Sequence, residues 1–154
     1  MEGTCSIASK DEINMRFALS EALMAFDRGD FPVGCVIVES GKVVATGSRE
    51  GTAYTTNANE VDHAEIRALK SFYSLDYMVK PEDCTIYVTM EPCLMCYGAI
   101  LLSGIGRIVY AYEDVMGGGT SCDLDSLPLL YKKNRPVLVH NVLREESPLL
   151  FARF

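Results

Sequence analysis

The chain has 154 residues, of which 49% are hydrophobic and 23% charged, so it has the size and composition of one folded domain. It has no apolar run long enough to cross a bilayer, and residues 1–10 lack the features of a secretory signal. This excludes a membrane protein and favours the cytoplasm. The 21 acidic and 14 basic residues give a net charge of −7, which disfavours a dedicated nucleic-acid binder because the average field repels phosphate.

The first third of the sequence predicts a helix followed by a β-hairpin. Apolar side chains recur at helical spacing through residues 11–28, and Gly29 provides a C-terminal stop. Residues 33–38 are apolar on both faces and too short for a helix, so they predict a buried strand that turns into a second strand at residues 43–46. Residues 49–61 are polar and predict a loop.

The rest of the chain alternates between the two kinds of element. We predict, in order, a helix from Asp62 to about Tyr73, a strand at residues 84–89, a helix opened by Pro92 and ending near Gly104, a strand at residues 107–112, a glycine-rich loop, a short helix near residues 127–131, a strand at residues 137–143 and a helical tail. Such alternation is typical of a layered α/β domain. We expect a single domain over residues 1–154.

Two predicted helix starts contain the residues with candidate chemistry. One contains His63 and Glu65, and the other contains Cys93 and Cys96. Without a secretory signal, cysteines are expected as thiols or metal ligands rather than disulfides. Two thiolates near a helix N-terminus and one imidazole give three zinc ligands, which leave a fourth position open for water. This pattern indicates a catalytic zinc site.

Glu65 is the candidate proton carrier, since a carboxylate beside such a site can accept a proton from water. Residues two apart on a regular helix point to opposite sides, so His63 and Glu65 converge only if His63 lies at the helix cap or first turn. Asp62 as the N-cap residue would place it there. Alternatively, Asp62 and Glu65 form a capping box, which makes Glu65 structural.

The cysteine pattern leaves two other interpretations open. Cys93 and Cys96 have the spacing of a thioredoxin-type redox pair. A closed structural zinc site would instead add Cys84 or Cys122 as a fourth ligand. Neither alternative accounts for His63 together with an open metal position.

The remaining histidine and two further cysteines receive no chemical role. His140 lies in a predicted apolar strand and is expected in the core or at the sheet edge. Cys5 is expected to be a thiol of the N-terminal tail, and Cys35 to fill space in the core.

The H-x-E and P-C-x-x-C segments together resemble the zinc-dependent cytidine deaminase superfamily. Residues 31–35 (FPVGC), 63–66 (HAEI) and 91–108 (EPCLMCYGAILLSGIGRI) are similar to the branch that contains tRNA adenosine deaminases and guanine deaminases. The resemblance covers most of residues 11–112. The ordered combination of the motifs is far more specific than a lone C-x-x-C.

The resemblance implies a three-layer α/β/α fold, with a five-stranded mixed sheet between helices. It implies that His63, Cys93 and Cys96 bind zinc and that Glu65 carries a proton while an exocyclic amine leaves a ring as ammonia. Members of the family form dimers or tetramers, so a homodimer is expected. The short helix before the last strand suggests the purine-type branch, in which the fifth strand is parallel to the fourth.

The resemblance also places Val33, Arg49, Ala64 and Glu91 at the substrate site. The position of Arg49 is usually an asparagine that hydrogen-bonds the substrate. Arginine is longer and carries only donors, so it suits a carbonyl, carboxylate or phosphate of the substrate. Alternatively, Arg49 turns outward on a mobile loop. The loop at residues 117–119 is either part of a lid or a plain turn.

Three functional hypotheses follow. The first is a zinc hydrolase that deaminates a free nucleobase, a nucleoside or a related small heterocycle. The second is a tRNA-specific adenosine deaminase, which is favoured by residues 91–108 and by basic residues after Tyr131, and disfavoured by the net charge and by Arg49. The third is a non-catalytic zinc scaffold.

Overall fold

The computed structural model describes residues 8–53 and 57–154, whose five strands form one sheet in the order β2-β1-β3-β4-β5. The elements are α1 (Lys10–Arg28), β1 (Gly34–Glu39), β2 (Lys42–Ser48), α2 (Ala64–Tyr73), β3 (Cys84–Met90), α3 (Leu94–Ser103), β4 (Arg107–Tyr112), α4 (Leu129–Lys132), β5 (Val137–Val139) and α5 (Ser147–Arg153). Among these described helices, none is both long and apolar enough to span a bilayer.

The sheet is mixed. Strand β1 is antiparallel to both β2 and β3, whereas β3, β4 and β5 run parallel to one another. The parallel pairs require crossover connections, and α3 provides the one from β3 to β4. The predicted parallel orientation of the fifth strand is therefore confirmed.

Helices cover both faces of the sheet and bury it. On one face, Met15 and Ala18 of α1 pack against Val36 and Val109. On the other face, α2 and α3 bury a larger cluster that includes Ile100 of α3. Because both faces are covered, the central strands are apolar throughout. This confirms the predicted three-layer α/β/α architecture.

Two glycines allow the helices to lie unusually close to the hairpin. A Cβ atom on Gly34 would lie 2.0 Å from the carbonyl oxygen of Ala18 in α1, and one on Gly47 would lie 2.2 Å from that of Ala64 in α2. Any side chain at Gly47 would push away the first turn of α2. Gly47 therefore allows the first turn of α2 to pack directly on β2.

The last predicted elements differ from the observed ones. The predicted strand at residues 137–143 ends at Val139, because Asn141 (φ 65°) and Leu143 (φ 54°) adopt the left-handed conformation and leave the ladder. The short helix predicted near residues 127–131 lies at Leu129–Lys132.

Candidate active site

The candidate metal ligands lie at the first residues of two adjacent helices. His63 is the N-cap residue of α2, and its extended backbone (φ −65°, ψ 156°) turns its side chain away from the helical path. Cys93 is the N-cap residue of α3 and Cys96 lies in its first turn. Helix α3 therefore begins at Leu94, not at Pro92 as predicted, because Cys93 is still extended (φ −68°, ψ 172°).

His63 lies at the cap as required, but the prediction that Asp62 is the N-cap residue is wrong. The Asp62 side chain instead accepts a hydrogen bond from Asn59 Nδ2 (2.6 Å). The backbone N–H of Asp62 donates to Asn59 Oδ1 (3.1 Å), whereas a capping box would direct it to Glu65. The capping-box interpretation of Glu65 is therefore also wrong.

The three candidate ligand atoms lie within 4.8 Å of one another, and both nitrogen–sulfur distances have the length that zinc requires. His63 Nδ1 lies 3.6 Å from Cys93 Sγ and 3.5 Å from Cys96 Sγ. With Zn–S bonds of about 2.3 Å and Zn–N bonds of about 2.0–2.1 Å, a tetrahedral ion holds nitrogen and sulfur about 3.6 Å apart. The donor set and its spacing therefore fit zinc.

In the described part of the chain, this is the one group of three or more potential ligands that lie this close together. Cys84 and Cys122, the suggested fourth ligands of a closed site, are outside it. The Cys84 thiol donates to the carbonyl of Lys80 (3.4 Å), and Cys122 packs against the apolar cluster. Three protein ligands leave one tetrahedral position open.

The two thiols have different proton affinities. A hydrogen bond from Cys96 lowers the pKa of Cys93 to about 4, and His63 contributes in the same direction. The same hydrogen bond and burial raise the pKa of Cys96. Cys93 is therefore a thiolate at neutral pH, the form that binds metals.

Glu65 lies beside these sulfur atoms in the first turn of α2 and is only 4% exposed. Burial raises its pKa to about 7, and the negative Cys93 acts in the same direction. A carboxyl group with this pKa exchanges a proton readily near neutral pH. The charge of the nearby His63 opposes this rise only in part. A carboxyl group buried in this way is typical of a functional group rather than a surface carboxylate.

A cavity of about 570 Å³ lies over the site. It is bordered by two of the candidate ligands, by the candidate proton carrier and by all the predicted substrate contacts, namely His63, Cys93, Glu65, Val33, Arg49, Ala64 and Glu91. Cys96 lies behind this surface and is fully buried.

Glu91 is engaged with the glycine-rich loop. Its carboxylate accepts hydrogen bonds from the backbone N–H groups of Asp114 (3.0 Å) and Thr120 (3.3 Å) and from the Thr120 hydroxyl. The N–H of Gly119 donates to the carbonyl of Pro92 (2.8 Å). These bonds hold residues 117–119 in a turn against α3, in agreement with the plain-turn alternative.

Arg49 points inward and is 5% exposed, so the alternative in which it turns outward is wrong.

His140 was predicted in the core or at the sheet edge. It is exposed just beyond β5, which is an edge strand, and stacks on Tyr110 (6.0 Å between centroids), so the edge alternative is correct. Cys35 fills the core as predicted, and Cys5 lies outside the described residues.

The sequence interpretation missed several residues of the cavity wall. Phe154 borders the cavity and stands edge-on to Phe31, with 6.0 Å between ring centroids. The rest of the wall consists of Thr52, Glu60, Met90, Asp114 and Met116. The position of Phe31 beside Val33 in the FPVGC segment was a usable signal, whereas nothing in the sequence indicates where α5 directs Phe154.

Comparison with known proteins agrees with this geometry. Residues 8–112 match the family described as "Cytidine and deoxycytidylate deaminase zinc-binding region". The chain is 30% identical over 146 residues to the tRNA-specific adenosine deaminase of Bacillus subtilis (strain 168), covering 95% of this chain and 89% of that protein. It is 35% identical over 141 residues to the one of Rickettsia felis, with 91% and 96% covered.

Solved structures give the same result. One, from a study of A-to-I editing by tRNA deaminases at the wobble position of transfer RNA, has a TM-score of 0.71 and 30% identity, with 90% of this chain and 98% of that chain covered. The guanine deaminase of Nitrosomonas europaea shares the fold, with a TM-score of 0.75 at 21% identity, and 96% and 85% covered.

The fold, the ligand triangle and these matches define a hydrolytic deaminase whose cofactor is zinc. The chain belongs to the cytidine and deoxycytidylate deaminase family. An enzyme, rather than a non-catalytic zinc scaffold, is therefore the confirmed interpretation.

Proposed function

We propose that His63, Cys93 and Cys96 hold the zinc ion and that Glu65 moves protons during hydrolytic deamination of an amino-substituted nucleobase or nucleoside. One observation carries this proposal. A triangle of one nitrogen and two sulfurs, whose nitrogen–sulfur sides have the length of a tetrahedral zinc site, lies beside a buried carboxyl group on the floor of a cavity. The net reaction exchanges a ring-bound amine for oxygen from water and releases ammonia.

When bound, zinc supplies a Lewis acid that lowers the pKa of water toward about 7. Glu65 accepts one proton from the attacking water and passes it to the ring nitrogen, and it then carries the second water proton, from the added hydroxyl group, to the amine, which leaves as ammonia. Its buried position keeps bulk water from competing for that proton. Val33 and Ala64 border the same cavity, where they are placed to contact the ring.

The charges around the cavity favour an uncharged substrate. Its walls include the carboxylates of Glu60, Glu91 and Asp114, whereas Arg49 is the one arginine or lysine among the described wall residues. A phosphate would be repelled by these carboxylates and by the net charge of −7. The first candidate substrate is therefore a free base or nucleoside, which is a small-molecule partner.

The relatives favour a second candidate, adenosine in tRNA. The proteins from B. subtilis and R. felis are both named tRNA-specific adenosine deaminases. Lys133 and Arg135 lie exposed between α4 and β5, where they could contact a phosphate backbone. Deamination of a base within RNA also requires that the base be flipped into the cavity.

Ammonia release from zinc-loaded protein tests both candidates. A panel of free bases, nucleosides and unmodified tRNA is compared with the same panel after zinc removal. We expect turnover of at least one base or nucleoside, lost on chelation and restored by zinc. Turnover of tRNA alone, with binding that falls steeply as salt rises, would select the second candidate. No zinc-dependent ammonia from any compound contradicts the proposal.

We also propose that the protein acts as a homodimer in the cytoplasm. The outer face of α2 and α3 exposes Tyr73 (63%), Leu94 (64%) and Leu102 (53%), and Leu102 borders two neighbouring cavities on this face. Contiguous apolar surface of this kind is typical of an interface between copies. Sedimentation should give a dimer that Leu102→Asp dissociates.

The cytoplasmic location is supported by the cysteines. None of the described cysteines forms a disulfide, as expected in the cytoplasm.

A further inference from the structure

Arg49, which lies just after β2, makes its hydrogen bonds to the protein backbone. Its Nη1 atom donates to the carbonyl oxygens of Glu50 (2.6 Å) and Asp62 (3.1 Å), and its Nη2 atom donates to that of Asn59 (2.7 Å). The side chain is 6% exposed. Three carbonyls thus converge on one guanidinium, whose planar fork can serve all of them at once.

These carbonyls belong to the loop that leads into α2, and one of them adjoins the candidate metal ligand. The carbonyl of Asp62 is part of the peptide group that His63 completes. It also accepts a hydrogen bond from the backbone N–H of Glu50 (3.3 Å), while the N–H of His63 donates to the carbonyl of Val61 (2.7 Å). Arg49 therefore holds the peptide group that joins Asp62 to His63, next to the Cα atom that carries the imidazole.

Arg49 is itself anchored from behind. The guanidinium of Arg28 donates to the carbonyl oxygen of Arg49 (2.9 Å) and to Ser48 Oγ (3.0 Å). Asp30 accepts from Arg28 Nε (3.3 Å) and from the backbone N–H of Thr52 (2.9 Å). The beginning of the loop is thus fixed separately, and Arg49 connects it to the end of the loop at Asp62.

We propose that Arg49 is a positioning residue: it orients His63 toward the metal through the carbonyl of Asp62 and does not bind the substrate with its guanidinium. This inference rests on the proposed role of His63. Three of the five guanidinium N–H donors, both hydrogens of Nη1 and one of Nη2, are directed at carbonyls, and a carboxylate oxygen of Glu60 lies 3.8 Å from Nη2. The guanidinium is therefore held mainly by the backbone of its own loop. In this chain, residue 49 therefore supports the ligand set rather than substrate choice.

The test compares Arg49→Met with Arg49→Lys. Removing charge-assisted hydrogen bonds behind a metal ligand weakens metal binding by about 10- to 100-fold. We expect Arg49→Met to lower zinc affinity in chelator competition by such a factor. At saturating zinc, it should lower kcat equally for every substrate and leave KM nearly unchanged. Lysine cannot reach three carbonyls at once, so Arg49→Lys should restore little despite its charge.

Chemical rescue keeps the test decisive if these variants are unstable. Millimolar guanidinium should raise the zinc affinity of Arg49→Met, whereas the same concentration of ammonium should not. The matched control is Arg107→Met, which removes another half-buried arginine at the far end of the sheet. That variant should keep the zinc affinity of the unmodified protein.

Two outcomes would overturn the inference. One is unchanged zinc affinity in Arg49→Met together with a KM that rises for some substrates only, since that result identifies a substrate contact. The other is a loss of zinc affinity in Arg107→Met as large as in Arg49→Met. His63→Ala separates the two proposals. If it retains zinc, the proposed function fails, and if it loses zinc while Arg49→Met does not, this inference alone fails.

Discussion

Two clusters of polar side chains lie inside this protein, at opposite ends of the parallel strands. At the start of β4, Arg107 donates to both carboxylate oxygens of Asp11 (2.7 and 2.6 Å), and the Tyr87 hydroxyl donates to the same carboxylate (2.8 Å). At the other end, after β3, the imidazole of His63 and the carboxyl of Glu65 lie against sulfur atoms, and the charge of His63 offsets those of Cys93 and Glu65.

The difference distinguishes a structural cluster from a functional one. In the Asp11 cluster each charge has its partner within the protein, so the arrangement is complete and stabilises the docking of α1. In the active-site cluster, a thiolate and a buried carboxyl group converge on one imidazole, and both raise its pKa. Binding of a cation would neutralise the negative charges of this cluster. The family to which the chain belongs has a zinc-binding region. Four predictions test this contrast, in order of decreasing effect.

Glu65→Gln should abolish most of the activity and retain the metal. Proton transfer by a positioned side chain contributes about 10²- to 10⁴-fold, so we expect kcat to fall by that factor. Zinc content, measured by elemental analysis, should stay the same because Glu65 is not in the ligand triangle. Glu60→Gln, an exposed carboxylate of the same cavity, is the control and should change kcat less than about tenfold. Activity within tenfold of normal in Glu65→Gln would remove the assigned role.

Cys93→Ser should weaken zinc binding by more than about 100-fold, because it removes a proposed ligand rather than a supporting group. Competition with a chromophoric chelator measures the change. Cys122→Ser is the control, since it removes a thiol outside the triangle. If both variants bound zinc equally well, the metal would have to lie elsewhere.

Arg107→Met should destabilise the fold without affecting the site. Hydrogen bonds to charged groups contribute about 1.5–3 kcal/mol, so we expect a loss in the free energy of unfolding of about that size. Urea denaturation gives this number, and zinc content and kcat at a temperature well below unfolding should stay normal. A loss of activity in the folded variant would show that the two clusters are coupled.

The smallest expected effect is on how the stability of the fold changes in acid. The hydrogen bonds from Arg107 lower the pKa of Asp11 below its usual 3.8. The ionised form is therefore stabilised by folding, and this contribution is present above the usual pKa and lost as pH falls through the lowered one. Asp11→Asn should be less stable than the unmodified protein near neutral pH, and the gap should narrow below about pH 4. A gap that widens in acid would contradict the assignment.

Most of the fold could be predicted from the sequence because its signals are local. The strand at Arg107–Tyr112 and the two ends of α1 follow from apolar runs, spacing and a terminal glycine. The fifth strand was overextended because its apolar pattern continues past Val139, whereas its end is set by the left-handed backbone of Asn141 and Leu143. Backbone handedness at a non-glycine residue leaves little trace in composition.

The candidate site was predictable as a set of residues but not in its supporting contacts. The spacing of His63, Cys93 and Cys96 and their predicted positions at helix starts indicated that the three side chains lie together. The sequence does not reveal that Asn59, rather than Glu65, accepts the hydrogen bond from the N–H of Asp62. Nor does it reveal that Arg49 donates to carbonyls up to thirteen residues after it in the chain. Such contacts depend on how a loop folds back, which is determined by tertiary packing.

The scarcity of histidine has a practical consequence. Of the two imidazoles in the chain, one belongs to the ligand triangle and the other, His140, is exposed beside Tyr110. A magnetic resonance spectrum of the imidazole protons therefore contains a reporter and a built-in reference. Titrating zinc should move the His63 signals and leave those of His140 in place, so occupancy can be read in solution without any label.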